Sequence, residues 1–193
     1  MKKFTILFIL FVYSLAIQAQ TNFALRLSNA SLELTKQQVT YNSAYIVIPY
    51  PNGDVPANTG VCSDVIIRAY RILGIDLQKE VHEDMIANFK KYPSKWGLTK
   101  PDKNIDHRRV PNLMTYFSRY GTVLPNSENS SDYKPGDIVC WDLGNGITHI
   151  GIVVNKKSSD GLRYMIVHNI GGGQVLEDSL FEYKIIGHYR YEK

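Results

Sequence analysis

Cys62, His149 and His168 are the residues of this chain whose types and positions could support nucleophilic catalysis. A cysteine attacks as a thiolate, so it needs a base to take its proton and a third group to orient that base. His149 opens one predicted strand and His168 ends the following one. Adjacent antiparallel strands would bring the two rings within reach of each other. The set predicts a Cys–His–His triad.

Cys62 falls in the first turn of a predicted amphipathic helix that Thr59 caps and Gly74 ends. Asp64 and Arg68 are four residues apart with the acid first, which supports a helix. The free N–H groups and the positive dipole end of the first turn favour a thiolate. The apolar positions that define the helix are Val61, Val65, Ile66, Ala69, Ile72 and Leu73.

Each member of the triad also has a simpler interpretation. Cys62 could be a small buried apolar residue, because free cysteine is among the most buried residue types. It could also form a disulfide with Cys140, the other cysteine of the chain, in an exported and oxidising setting. A lone histidine is usually a hydrogen-bonded structural residue. A resting enzyme cannot hold both a Cys62 disulfide and a Cys62 nucleophile.

The N-terminus has the pattern of a secretory signal peptide. A short basic region precedes an apolar run at residues 4–17, which is too short for a comfortable membrane span, and small residues follow. We expect residues 1–19 to be removed, and an uncleaved anchor is the alternative. Residues 20–193 would then form one domain, with no stable membrane span, in the periplasm or outside the cell. The 174 residues left from 193 suffice for a proper core.

The charge of the chain argues against a nucleic-acid partner. The net charge of +4 falls to +2 once Lys2 and Lys3 are removed, and the remaining charges are scattered. Thirteen tyrosines provide many amphipathic side chains, as is common where a protein handles peptide or sugar. We expect a monomer.

Periodicity predicts helices in the first part of the chain and strands in the last part, an α+β arrangement. A short strand is predicted at residues 44–48, before the helix that holds Cys62. The predicted helices cover residues 23–38, 59–74, 76–89 and 111–121. The later strands, at residues 138–141, 147–154, 163–169 and 187–191, would form an antiparallel meander.

Two loops supply candidate substrate-binding residues. The proline-rich loop before the Cys62 helix would form one wall of a cleft, and residues 104–113 join two arginines to an acid and a histidine. Arginine suits bidentate binding of a carboxylate-bearing substrate. The alternative is an ion-pair network that ties this loop to Asp54 or Asp64. The candidates are Tyr50, Asp64, Asp106, His107, Arg108 and Arg109.

A metal-dependent hydrolase is a weaker hypothesis. His82 and Asp84 are two residues apart and would point to different sides of a helix. The other residues considered for it are Asp106, His107 and His188. We expect no metal and no organic cofactor.

Three segments together resemble NlpC-type papain-like cysteine peptidases. Residues 61–65, Val-Cys-Ser-Asp-Val, resemble the nucleophile motif Asp-Cys-Ser-Gly-Phe of that family. Residues 135–139 and 148–152 resemble its base motif, and residues 167–169 match its third polar position. Residues 104–113 and the Gly-His-Tyr ending further resemble an uncharacterised branch of bacterial envelope proteins, a domain of unknown function. That closer resemblance covers roughly residues 45–191.

The resemblance implies a circularly permuted papain-like fold with N-terminal helices packed on an antiparallel sheet. It also implies hydrolysis of amide bonds in peptidoglycan peptides, typically beside D-glutamate or diaminopimelate. By carry-over, Cys62 would attack the carbonyl, His149 would shuttle the proton and His168 would orient His149. Asn169 is a weaker candidate for the orienting group, because it points to the other face of the strand.

The chain departs from the family motif on both sides of the cysteine. Val61 replaces the usual Asp, and Asp64 stands where Gly is usual. A carboxylate two residues from the thiol opposes thiolate formation unless an arginine neutralises it. The arginines that could do so are Arg68, Arg108 and Arg109. A catalytically silent envelope protein that binds peptide or glycan in the same cleft is therefore the second hypothesis.

Overall fold

The structure, a computed structural model, describes residues 23–193. Within that range an α+β fold places four α-helices mostly ahead of the main sheet. The helices are α1 (23–34), α2 (Cys62–Ile72), α3 (Leu77–Asn88) and α4 (Val110–Tyr120). The strands are β1 (Thr40–Tyr41), β2 (Thr59–Gly60), β3 (Thr122–Val123), β4 (Ile138–Asp142), β5 (Thr148–Lys157), β6 (Tyr164–His168), β7 (Val175–Glu177) and β8 (Lys184–Arg190). The predicted signal peptide lies outside the described residues.

The main sheet is antiparallel and has the strand order β3-β8-β4-β5-β6-β7. The four strands predicted from the sequence form its centre. However, β8 pairs with β4 on the side away from β5, so the sheet is not a simple meander. The edge strands β3 and β7 were not predicted, because each has only two or three residues. A separate parallel pair, β1 and β2, leads into the helix that carries Cys62.

Helix α2 packs on β5 through the apolar stripe that its sequence predicts. Val65, Ile66 and Ala69 are fully buried there, whereas Ile72 at the end of the helix is exposed, against the prediction. Burying a valine or isoleucine contributes about 1.5–3 kcal/mol each. The stripe therefore fixes the start of α2 against the sheet.

The two faces of the sheet carry separate apolar cores. One core lies under the helices and includes Cys62, Ile150 and Ile152. The other is built around Trp141 and Val153 on the opposite face. Because side chains alternate along a strand, β5 contributes to both cores and directs His149 to the same face as Trp141, its partner in the register.

Two local predictions before α2 are wrong. Residues 44–48 form no strand, because side chains bind their backbone instead: Ile48 N–H donates to the Asn104 side chain at 3.1 Å, and Val47 is 76% exposed. Thr59 belongs to β2, and Val61 is the N-cap of α2. The Asp64 carboxylate accepts the Val61 N–H at 2.7 Å, so it supplies the missing cap.

No helix in residues 23–193 is long and apolar enough to cross a membrane.

Candidate active site

Cys62 is the first residue of α2, as predicted, and its side chain is buried against β5. The backbone N–H of Ile150, the residue after His149, faces its sulfur, as do the N–H groups of Ser63 and of Cys62 itself. The helix start therefore delivers the thiol to the end of β5 where His149 lies.

Burial raises the pKa of the Cys62 thiol to about 12. The three backbone N–H groups lower that pKa and the Asp64 carboxylate raises it, but burial is the largest effect. The N–H groups at the helix start favour the thiolate, as expected from the sequence, but burial outweighs them in the free protein. The resting site holds a neutral thiol.

His149 and His168 are brought together as predicted. Nε2 of His149 lies 2.7 Å from Nδ1 of His168, with both rings buried and inclined by 67°. Nε2 of His168 lies 2.9 Å from a carboxylate oxygen of Glu177 on β7. Burial and the neighbouring His168 lower the pKa of His149 to about 3. Burial also lowers the pKa of His168, although Glu177 opposes the shift.

The Asp64 carboxylate is neutralised by one of the three arginines considered. Arg108 donates through Nε and Nη2 to its two oxygens, each at 2.9 Å, and both side chains are buried. The Asp64–Arg68 pair expected along the helix is not formed, since Arg68 binds Asp54 instead. Ser63 adds a hydrogen bond from its hydroxyl to the Arg108 carbonyl at 2.8 Å, so the start of α2 holds Arg108 twice.

A cavity of about 210 Å³ opens beside Cys62. It is lined by residues from the segment before α2, from the loop before α4 and from the start of β5. These are Tyr41, Ser43, Val61, Cys62, Trp96, Ile105, Arg108, Arg109, Val110, Pro111 and Thr148. Of the six predicted substrate-binding residues, Arg108 and Arg109 line this cavity, and Asp64 lies directly behind Arg108.

The other three predicted substrate-binding residues lie elsewhere. Asp106 is buried against His82, with 2.9 Å between its carboxylate and the ring nitrogen. His107 is also buried, and burial lowers its pKa to about 3. Tyr50 packs edge-on against the His82 ring with the centroids 5.3 Å apart. The alternative, an ion-pair network that ties this loop to Asp54 or Asp64, is confirmed for Arg108 through Asp64. Asp106 binds His82, a contact that neither interpretation included.

Asn169 does not orient His149. Its side-chain amide donates to the carbonyl of Gly60 at 3.2 Å, two residues before Cys62, and its side-chain oxygen accepts the Gly171 N–H. Two consecutive residues at the end of β6 therefore contact different parts of the site. His168 contacts His149, and Asn169 binds the backbone that precedes α2.

Both cysteines are free thiols in the structure, so the Cys62–Cys140 disulfide is not formed. Cys140 is fully buried in β4, and burial raises the pKa of its thiol. The described residues contain no group of three or more His, Cys, Asp or Glu side chains arranged to hold a metal ion.

Glu177, Tyr41 and Trp96 are among the site residues that the sequence interpretation missed. The signal for Glu177 was present, because the glycine run 171–173 follows β6 directly and predicts a hairpin. A returning strand would have brought Glu177 beside His168. Tyr41 and Trp96 reach the cavity from distant, irregular segments and carry no local signal.

The helix-borne cysteine and the paired histidines define an α+β protein with a cysteine–histidine site. Residues 28–191 match the family described as a domain of unknown function, DUF1287, and the chain belongs to that family. The uncharacterized protein YijF of Escherichia coli K12 is 51% identical over 175 residues, which cover 91% of this chain and 85% of YijF.

More distant similarities involve two hydrolases. The probable endopeptidase p60 of Listeria monocytogenes is 32% identical over 75 residues, covering 31% of this chain and only 16% of p60. The crystal structure of an N-acetylmuramoyl-L-alanine amidase from Bacteroides uniformis aligns with a TM-score of 0.50 at 12% identity. That alignment covers 89% of this chain and all of the amidase chain, and at this identity it shows similarity of fold alone.

Proposed function

We propose that this protein is an exported cysteine amidase or peptidase that hydrolyses amide bonds in peptidoglycan peptides. The observation that carries the proposal is the 2.7 Å contact between His149 and His168 at the strand end where Cys62 lies. The partial match to a probable endopeptidase and the fold similarity to an amidase support the same class of reaction. We assign the fold to the circularly permuted, NlpC-type papain-like group.

The proposal extends to the rest of the chain. Removal of residues 1–19 delivers residues 20–193 to the periplasm or the medium as a single, monomeric catalytic domain. Its substrate is a cell-wall peptide, and its chemistry uses side chains alone, with no cofactor.

Glu177 sets the positions of the protons in the histidine pair. Its carboxylate can only accept a hydrogen bond, so His168 carries its proton on Nε2 and presents an unprotonated Nδ1 to His149. His149 then carries its own proton on Nε2, which it donates to His168. That leaves Nδ1 of His149 unprotonated, and we assign this nitrogen as the base for the Cys62 thiol. The chain of acceptors therefore makes His149 a base at the required atom.

Cys62 attacks as its proton leaves. Because the thiol pKa is about 12 and that of His149 about 3, the free site is a neutral pair rather than a thiolate–imidazolium pair. Proton transfer to His149 accompanies the formation of the bond between sulfur and the substrate carbonyl carbon. The imidazolium then protonates the departing amine, and water releases the acid from Cys62 by the reverse steps.

Cleavage of soluble muropeptides tests the proposal. Mass spectrometry should show new amine and acid termini with the wild-type protein and with Cys140→Ser, a matched cysteine substitution outside the cavity. Cys62→Ala should give none. Equal cleavage by Cys62→Ala would overturn the assignment of the nucleophile.

The raised pKa of Cys62 also favours one alternative, a silent envelope protein that binds peptide or glycan in the same cavity. Calorimetric binding of muropeptides by a wild-type protein that cleaves none of them would establish this alternative in place of the hydrolase.

A further inference from the structure

We infer that Arg109 is the receptor for a substrate carboxylate, so that the protein acts on amides that lie next to a free carboxylate group. This inference rests on the proposed function and narrows its substrate class. Of the six substrate-binding residues predicted from the sequence, it assigns direct contact with the substrate to Arg109.

Arg109 differs from the other arginines in residues 23–193 by its lack of an acidic partner. Six of them form ion pairs with carboxylates at 2.6–3.0 Å. The six are Arg68, Arg71, Arg108, Arg119, Arg163 and Arg190. Arg26 is exposed to solvent. Arg109 is partly buried, and its Nη1 is buried with no hydrogen-bond partner.

Arg109 lines the cavity that contains Cys62, and its unpartnered Nη1 is buried behind the cavity wall. The guanidinium carbon lies 4.3 Å from the centroid of the Trp96 ring, which also lines the cavity. Burial lowers the pKa of Arg109, and the carboxylates of Asp106 and Asp102 oppose this without contacting the guanidinium. A buried donor on a cation is costly when unpaired, and a carboxylate bound by this guanidinium would offset that cost.

The neighbouring residue cannot take this role. The Nε and Nη2 atoms of Arg108 are already bound to both oxygens of Asp64, and its carbonyl accepts from Ser63. These contacts instead fix the backbone next to Arg109. Less conformational entropy is therefore lost when a ligand binds to Arg109. The Trp96 ring limits the movement of the guanidinium that lies over it, and a planar fork matches a planar carboxylate.

Two peptides that differ in a single charge provide the test. One is Ala-γ-D-Glu-Lys, with a free α-carboxylate beside the γ-amide. The other is the same peptide with that carboxylate converted to a carboxamide. Binding is measured by calorimetry on Cys62→Ala protein, so that the result does not depend on cleavage. We expect the carboxylate peptide to bind roughly 10- to 100-fold more tightly, the range for hydrogen bonds to charged groups.

Arg109→Gln in the Cys62→Ala protein should remove this preference, because affinity for the carboxylate peptide falls to that for the carboxamide. Arg109→Lys should restore only part of it, since a point charge lacks the fork. Arg26→Gln, which removes an exposed arginine outside the cavity, is the matched control and should retain the full preference. Thermal unfolding of each variant confirms that it is folded.

The outcomes separate the two proposals. A preference for the carboxylate that survives Arg109→Gln, equal binding of both peptides, or no binding of either would overturn the role of Arg109. A preference that depends on Arg109, combined with no cleavage of any muropeptide by the wild-type protein, would leave the receptor standing and overturn the hydrolase.

Discussion

The main sheet contains two contacts of equal length between a buried histidine and a carboxylate, and the two contacts have different roles. His168 lies 2.9 Å from Glu177, and His188 lies 2.9 Å from Asp137. The Glu177 side chain is 48% exposed, whereas Asp137 is fully buried and also binds Arg190. The length of the contact and the burial of the histidine therefore do not distinguish a relay from a structural pair.

The second ring nitrogen of each histidine makes the distinction. Nδ1 of His188 lies 3.0 Å from the carbonyl of Pro125, which can only accept a hydrogen bond. With an acceptor facing each of its ring nitrogens, His188 contacts no group from which it could take a proton. Nδ1 of His168 instead faces His149, a ring that can both donate and accept. A relay needs such a group, and a structural histidine does not.

The largest expected effect follows from breaking the relay at His149. His149→Ala removes the base, so kcat/KM for muropeptide cleavage should fall by about 10³-fold or more. Urea unfolding should show that the variant is still folded under the assay conditions, so the loss of activity is not a loss of folded protein. Mass-spectrometric rate measurements on the folded variant check this, and a loss of less than tenfold would contradict the relay.

The pH dependence of Cys62 alkylation sharpens the comparison by testing whether the relay is neutral at rest. Below a thiol pKa of about 12 the thiolate fraction increases with pH. The rate of labelling by iodoacetamide should therefore rise about tenfold per pH unit between pH 7 and 10. The measurement uses Cys140→Ser protein to exclude background labelling. A plateau below pH 9 would instead indicate a thiolate–imidazolium pair.

The structural pair should respond in stability rather than in activity. His188→Leu leaves Asp137 buried with only part of its partners, which should reduce the free energy of unfolding by about 3 kcal/mol. Cleavage per folded molecule should be unchanged, because His188 lies outside the Cys62 cavity. Urea unfolding measures the first quantity, and activity corrected for the folded fraction measures the second. A stable but inactive variant would show that His188 is not a purely structural residue.

Glu177 should have the smallest of these effects, because its carboxylate is half exposed. Glu177→Leu no longer selects the proton position on His168, so kcat/KM should fall by roughly tenfold. Glu177→Gln can still accept through its amide oxygen and should lose less. The pH–rate profile of the leucine variant should also shift, which a purely structural change would not cause. Equal rates for all three proteins would exclude Glu177 from the relay.

Sequence reasoning succeeded where the signal is local and strong. The apolar stripe of α2 and the runs of β-branched residues in β4 and β5 predicted the elements that carry Cys62 and His149. The same elements made the approach of His149 and His168 predictable, because adjacent strands determine it. In these elements the spacing of apolar residues directly predicts which side chains are buried.

Sequence reasoning failed where contacts between residues far apart in the chain determine the structure. Asp64 and Arg68 satisfy the spacing rule for a helical pair, but the partner of Asp64 is Arg108, 44 residues away. A bidentate buried contact outweighs an (i, i+4) contact that stabilises by only a few tenths of a kcal/mol. Likewise, the thiol pKa depends on how deeply α2 packs against the sheet, and no residue near Cys62 reports that depth.

The adjacent pair His168–Asn169 has a consequence for how the gene can vary. Its members face opposite ways, one bonded to the base and the other to the Gly60 carbonyl ahead of the nucleophile. Adding or deleting a single codon between them would turn one side chain to the wrong face and separate the two halves of the site. The turn between β5 and β6 does not position both the base and the segment before the nucleophile. Insertions and deletions should therefore be tolerated in the turn between β5 and β6 and selected against between His168 and Asn169.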